Sequence, residues 1–217
     1  WAIDEYGQDI LFRENTFNFT DYDIDHPNAK DLIGMMIDGA VPKMANKNYT
    51  KLGYMLCNEP HFFTKKDVWA TGEISKYSIE KFKGWLAEKH ETIDQLNTLY
   101  KTNYTSFSDV AITIPMNGNL QGKPIWYDWM FFNMHRVTKW YEFVKDRIQQ
   151  LDPAAKVHLK IMPRLWSDNL KDHGIDLESL TRMSEIIGND AGAWNNYMWG
   201  PKEWWDDEYA FNWREVA

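Results

Sequence analysis

Asn58, Glu59 and His61 stand together in "KLGYMLCNEPHFF", residues 51–63, where an apolar run stops against Pro60. A short apolar run ended by proline has the pattern of a buried strand, and parallel α/β proteins collect their ligands at the carboxyl ends of such strands. A carboxylic acid in that place can give and take a proton, while the neighbouring Asn58 amide can hold a substrate hydroxyl. Glu59 is also compatible with an exposed loop residue or the cap of a following helix, and His61 with a surface histidine. Phe62, Phe63 and Trp69 follow closely and would give the same mouth a polar and aromatic rim.

A second concentration of functional groups lies in "GNDAGAWNNYMWGPKEWWDDEYAFNW", residues 188–213. Carboxylates and amides bind hydroxyls, and indole rings cover the C–H faces of sugars. Trp194 and Asn195 are the foremost candidates, because they lie nearest the end of an expected strand, and Asp190 at that strand end suits substrate binding or support; a packed aromatic surface loop is the competing reading. Other chemistries lack their residues. His90-Glu91 begins like a zinc-binding helix, but position 94 is Asp94 instead of a second histidine. The other histidines are scattered, the lone Cys57 offers no thiolate cluster, and neither a phosphate-cradling glycine loop nor a Gly-x-Ser-x-Gly elbow is present. No metal and no cofactor are expected.

Composition narrows the partners. The 217 residues are 44% hydrophobic and 16% aromatic, enough for a sizeable core. A formal charge of -8 argues against nucleic acid, which needs a clustered basic surface. A neutral partner such as a carbohydrate fits better, although most of the twelve tryptophans could equally be packed inside. No apolar run approaches the roughly 20 residues of a membrane span, and the chain opens on Trp1, as a processed chain or a segment would. The composition sets neither oligomeric state nor compartment.

The elements that must position these residues alternate. Asp25-His26-Pro27 is a helix-start signal, and Leu32, Ile33, Met36 and Ile37 follow at helical spacing. The strand Leu52–Cys57 comes next. Ile79, Phe82, Leu86, Ile93, Leu96 and Tyr100 predict one long amphipathic helix from about Ser78 to Tyr100. Pro115, Gly118, Gly122 and Pro124 mark a surface excursion, after which Val137, Trp140, Tyr141, Val144, Ile148 and Leu151 share a helix face that ends at Asp152-Pro153. "KVHLKIMP" alternates as a strand, "DLESLTRM" reads as a short helix, and "SEIIGND" as a weaker strand. Such alternation predicts parallel strands with helical crossovers. A complete (β/α)8 TIM barrel takes about 250 residues, so three or four strands make residues 1–217 a single segment holding roughly half of one.

The stretch "GYMLCNEPHF" resembles the fourth-strand acid/base motif of the clan A glycoside hydrolases. "FKGWLAEKHETIDQLNTLYKTNYTSFSDV", residues 82–110, and "YDWMFFNMHRVTKWYEFVKDRIQQLDPAAKVHLKIM" are similar to the helix, loop and next strand of the family 42 β-galactosidases and the related β-agarases. The resemblance implies strands 3 to 6 of the barrel and a retaining hydrolase of β-galactoside-type linkages. It makes Glu59 the general acid/base and Asn58 the residue that binds the hydroxyl next to the anomeric carbon. Retaining enzymes need a second carboxylate about 5 to 5.5 Å from the first. The clan places it after the seventh strand, which on this count falls beyond Ala217. Glu185 is the internal alternative, but it stands near the start of its strand. A non-catalytic carbohydrate-binding protein on a degenerate barrel is the other functional class open to the sequence.

Overall fold

The computed structural model describes residues 23–66, 74–162 and 172–189. Among them the elements run α1 (Ala29–Met44), β1 (Tyr54–Asn58), α2 (Lys76–His90), α3 (Ile93–Tyr100), α4 (Pro124–Leu151), β2 (Val157–Ile161), α5 (Leu177–Met183) and β3 (Gly188–Asn189). They group into two compact units, one holding residues 1–33, 62–140 and 172–174, the other residues 34–61, 141–171 and 175–217. The helices α1 and α4 each contribute residues to both.

The first unit is built on an aromatic core. Phe82 and Leu86 of α2, Leu96 of α3, and Trp126, Trp129 and Phe132 of α4 are buried together; the helical spacing predicts the α2 and α3 members. The Trp129 ring stands edge-on to Phe82 at 5.1 Å, and its indole N–H donates to Thr64 Oγ1 at 2.7 Å, so its polar atom is satisfied inside the core. Two buried carboxylates tie the helices of this unit. Asp25 accepts from Arg136 Nη1 at 2.7 Å, Ser78 Oγ at 2.5 Å and Lys81 Nζ at 3.1 Å. Asp128 accepts from Tyr100 Oη at 2.7 Å, pairs with His90 Nε2 at 2.6 Å and holds Lys89.

The second unit carries a parallel sheet in the order β1-β2-β3. Tyr54 pairs with Val157 and Met55 with His158, but the next pairs are Cys57 with Leu159 and Asn58 with Lys160, which leaves Leu56 as a bulged extra residue. A bulge reverses the alternation of side chains beyond it. Tyr54 and Cys57, three residues apart, therefore both meet the C-terminal part of α4: Tyr54 Oη donates to Asp152 Oδ2 at 2.9 Å, and the Cys57 thiol lies against Tyr141. Val157, Leu159 and Ile161 share the buried side of β2, while His158 and Lys160 alternate with them.

Several expectations need correction. The long helix from Ser78 is two helices: Glu91 adopts a left-handed φ of 58°, and Thr92 then caps α3 by accepting from the Gln95 N–H at 3.3 Å. Its apolar stripe survives because both halves pack on the same core. The excursion around residues 105–124 is only partly on the surface; Val110 and Met116 are fully buried, and Met116 bridges to Lys65 as an isolated strand pair. In α1 the buried positions are Ala29, Gly34, Ile37 and Val41, whereas Leu32 and Met36 are exposed. Finally, α4 begins at Pro124, well before the predicted stripe, since proline suits a first helical turn.

Candidate active site

Glu59 follows the last residue of β1 with φ of 54°, in the left-handed region that side-chain-bearing residues seldom occupy. Its N–H donates to the Lys160 carbonyl at 2.8 Å, one further rung of the parallel ladder, so the backbone turns only after that rung is made. Its own carbonyl lies 2.8 Å from His61 Nδ1. The turn leaves the Glu59 side chain 39% exposed, with Oε1 3.9 Å from the Lys160 ammonium. Asn58, opposite Lys160 in the register, is exposed, and His61 is half-buried.

The structure thus gathers Asn58, Glu59 and His61 at the carboxyl end of the sheet, where a carboxyl group half open to solvent can reach a ligand and exchange protons. Lys160 joins them. It was missed because a lysine inside an alternating strand reads as an ordinary solvent-facing residue; the signal was its place, second from the end of the strand neighbouring Glu59. Cys57 does not belong to this chemistry: burial pushes its thiol up, which keeps it uncharged.

Glu185 lies at the other end. Its carboxylate accepts from the Val157 N–H at 2.9 Å, at the start of β2, and from Lys145 Nζ at 2.5 Å and Gln149 Nε2 at 3.2 Å. Burial acts to raise its proton affinity, but these hydrogen bonds outweigh it and hold the carboxyl below its ordinary range. A carboxylate so engaged at the amino end of the strands ties α4 to β2, whereas active-site groups of such folds belong at the carboxyl end.

Other candidates separate. Phe63 is a buried ring set edge-on against His173 at 6.1 Å, not part of an exposed rim. His90 is occupied by Asp128, and no group of three or more His, Cys, Asp or Glu residues with metal-binding geometry occurs among the described residues. Trp126, Trp129 and Trp140 are core residues. Trp69, Asp190, Trp194, Asn195, Asn196, Trp199, Trp204 and Trp205 lie outside the described residues.

With this geometry in hand, comparison with known proteins is decisive. The sequence model of glycoside hydrolase family 42, described as β-galactosidase, matches residues 64–211. The chain belongs to family 42. The match begins beyond Asn58 and Glu59. The chain is 53% identical to the apo exo-carrageenase of family 42 from Bacteroides ovatus, with a TM-score of 0.76 over 87% of this chain and 26% of that one. The cold-adapted β-galactosidase from Rahnella sp. R3 shares the fold at 18% identity, with a TM-score of 0.64 over the same shares, 87% and 26%. A β-1,2-glucosyltransferase of Ignavibacterium album is 27% identical over 167 residues, 68% of this chain and 22% of that protein. The chain therefore spans about a quarter of the length of the proteins it resembles. No described helix is long and apolar enough to cross a membrane.

Proposed function

We propose that residues 1–217 form one segment, about strands 3 to 6, of a (β/α)8 catalytic domain, and that the whole protein is a retaining glycoside hydrolase of β-galactoside-type linkages. The observation that carries this reading is the placement of Glu59: a half-exposed carboxyl group at the carboxyl end of a parallel strand, next to Asn58 and fixed by a main-chain bond to the neighbouring strand. Glu59 as acid protonates the departing glycosidic oxygen while a second carboxylate forms the glycosyl-enzyme, and as base it then takes a proton from the attacking water. Asn58 binds the hydroxyl beside the anomeric carbon. His61, Asp190, Trp194 and Asn195 bind the substrate, through hydroxyl hydrogen bonds and, at Trp194, through an indole against a sugar face. The likeness to an exo-carrageenase favours a galactan as substrate.

The test is hydrolysis of aryl β-galactosides and of carrageenan, agar and galactan oligosaccharides by the full-length protein and its Glu59→Gln variant. Loss of an acid/base costs about 10²- to 10⁴-fold on substrates whose leaving group needs a proton. Azide should restore turnover of an activated aryl galactoside by replacing water as nucleophile. A Glu59→Gln variant as active as wild type would overturn the assignment.

A further inference from the structure

Lys160 occupies a position that secondary-structure preference does not explain. Lysine is depleted in strands, and the buried side of β2 is taken by Val157, Leu159 and Ile161. In the register its two neighbours are Asn58 on β1 and Gly188 on β3. Gly188 has no side chain to give: a Cβ there would overlap the Leu159 carbonyl and approach His158 Nδ1 to 2.9 Å. The Lys160 carbonyl accepts the Glu59 N–H, and its ammonium stands 3.9 Å from Glu59 Oε1. The two side chains are 33% and 39% exposed, and an ion pair as open as that adds little to stability.

We infer that Lys160 is a positioning residue that sets the orientation of the Glu59 carboxyl for proton donation, holding it from β2 by main chain and side chain together. The inference rests on Glu59 being the acid/base. The main-chain bond fixes where the Glu59 backbone turns out of the strand. The ammonium faces Oε1 of the neutral carboxyl, which leaves Oε2 to carry the proton, beside the Asn58 amide that holds the sugar. A misplacement of about 1 Å in such a group can cost 10²-fold in rate, so a weak but directed attraction suffices for the role.

The experiment measures kcat/KM, which reports the first, glycosylation step, for two galactosides: a dinitrophenyl one, whose leaving group needs no proton, and a methyl one, whose leaving group does. Wild type, Glu59→Gln, Lys160→Met, Lys160→Gln and Lys160→Arg are compared in the full-length protein. Lys160→Met and Lys160→Gln should each lose about tenfold on the methyl galactoside and less than about twofold on the dinitrophenyl one, with Lys160→Arg close to wild type. Equal losses on both substrates, or no loss on either, would overturn the positioning role. Glu59→Gln separates the two readings. If it discriminates between the leaving groups and the Lys160 variants do not, only the Lys160 inference fails; if Glu59→Gln does not discriminate, the acid/base assignment fails with it.

Discussion

At the scale of the residue, Glu59 and Glu185 show how position decides what a carboxylate does. Both follow from the same chemistry, yet Glu185 is held by a backbone N–H, an ammonium and an amide, which leaves it a bracing residue. Glu59 is half exposed and turned out of the ladder. Asp128 is a third case. It is buried beneath Lys89, His90 and Tyr100, and burial together with the Asp128 hydrogen bond pushes the Tyr100 phenol well above its ordinary range. Breaking such a buried network by removing one member costs about 3–5 kcal/mol. Asp128→Ala should show that loss in urea unfolding, while kcat measured at low temperature stays near wild type.

At the scale of the element, the bulge in β1 and the glycine in β3 shape the sheet. Without Leu56 as an extra residue, Cys57 would leave the α4 side and Asn58 would leave the side it shares with Lys160. Gly188 allows β3 to approach Leu159. Gly188→Ala should therefore destabilise the protein by about 1–3 kcal/mol, read as a lower urea midpoint, because a Cβ must displace backbone and not a flexible side-chain end. Sequence patterning shows the helices and strands but not these two devices, since neither a bulge nor a close backbone approach leaves a periodic mark. The division between α2 and α3 escaped it as well, because an apolar stripe can continue across two helices that share a core.

At the scale of the whole molecule, two behaviours follow. Burial acts to raise the Asp25 carboxyl, but Arg136, Ser78 and Lys81 outweigh it and hold it below its ordinary 3.8. A carboxyl with a depressed folded value stabilises the fold fully above its unfolded value and loses that contribution as pH falls through the folded one. Unfolding midpoints from pH 6 down to pH 2 should accordingly fall less steeply in Asp25→Asn than in wild type, while the variant is less stable at pH 6. The second behaviour concerns association. Among the described strands β1 has a partner on one side, and Leu52 and Met55 are 80% and 52% exposed. An apolar strand edge that a fragment leaves unpaired templates pairing. The chain of 217 residues by itself should show concentration-dependent light scattering that Met55→Lys reduces.

The sequence by itself determined the order of elements, the faces that α2 and α3 give to the aromatic core, and the placing of Asn58, Glu59 and His61 at a strand end. These depend on periodicity, turn residues and local stops, which are properties of neighbours along the chain. Only the tertiary structure decided that Lys160 stands beside Glu59, that Glu185 braces the far end of the strands, and that His90 and Phe63 serve packing. Those are relations between residues as much as 110 positions apart, as Phe63 and His173 are, with Glu59 and Lys160 at 101. The meeting of Glu59 and Lys160 is set by strand register and by the Leu56 bulge, which moves every later side chain of β1 to the other side, and none of these relations has a counterpart in spacing along the chain.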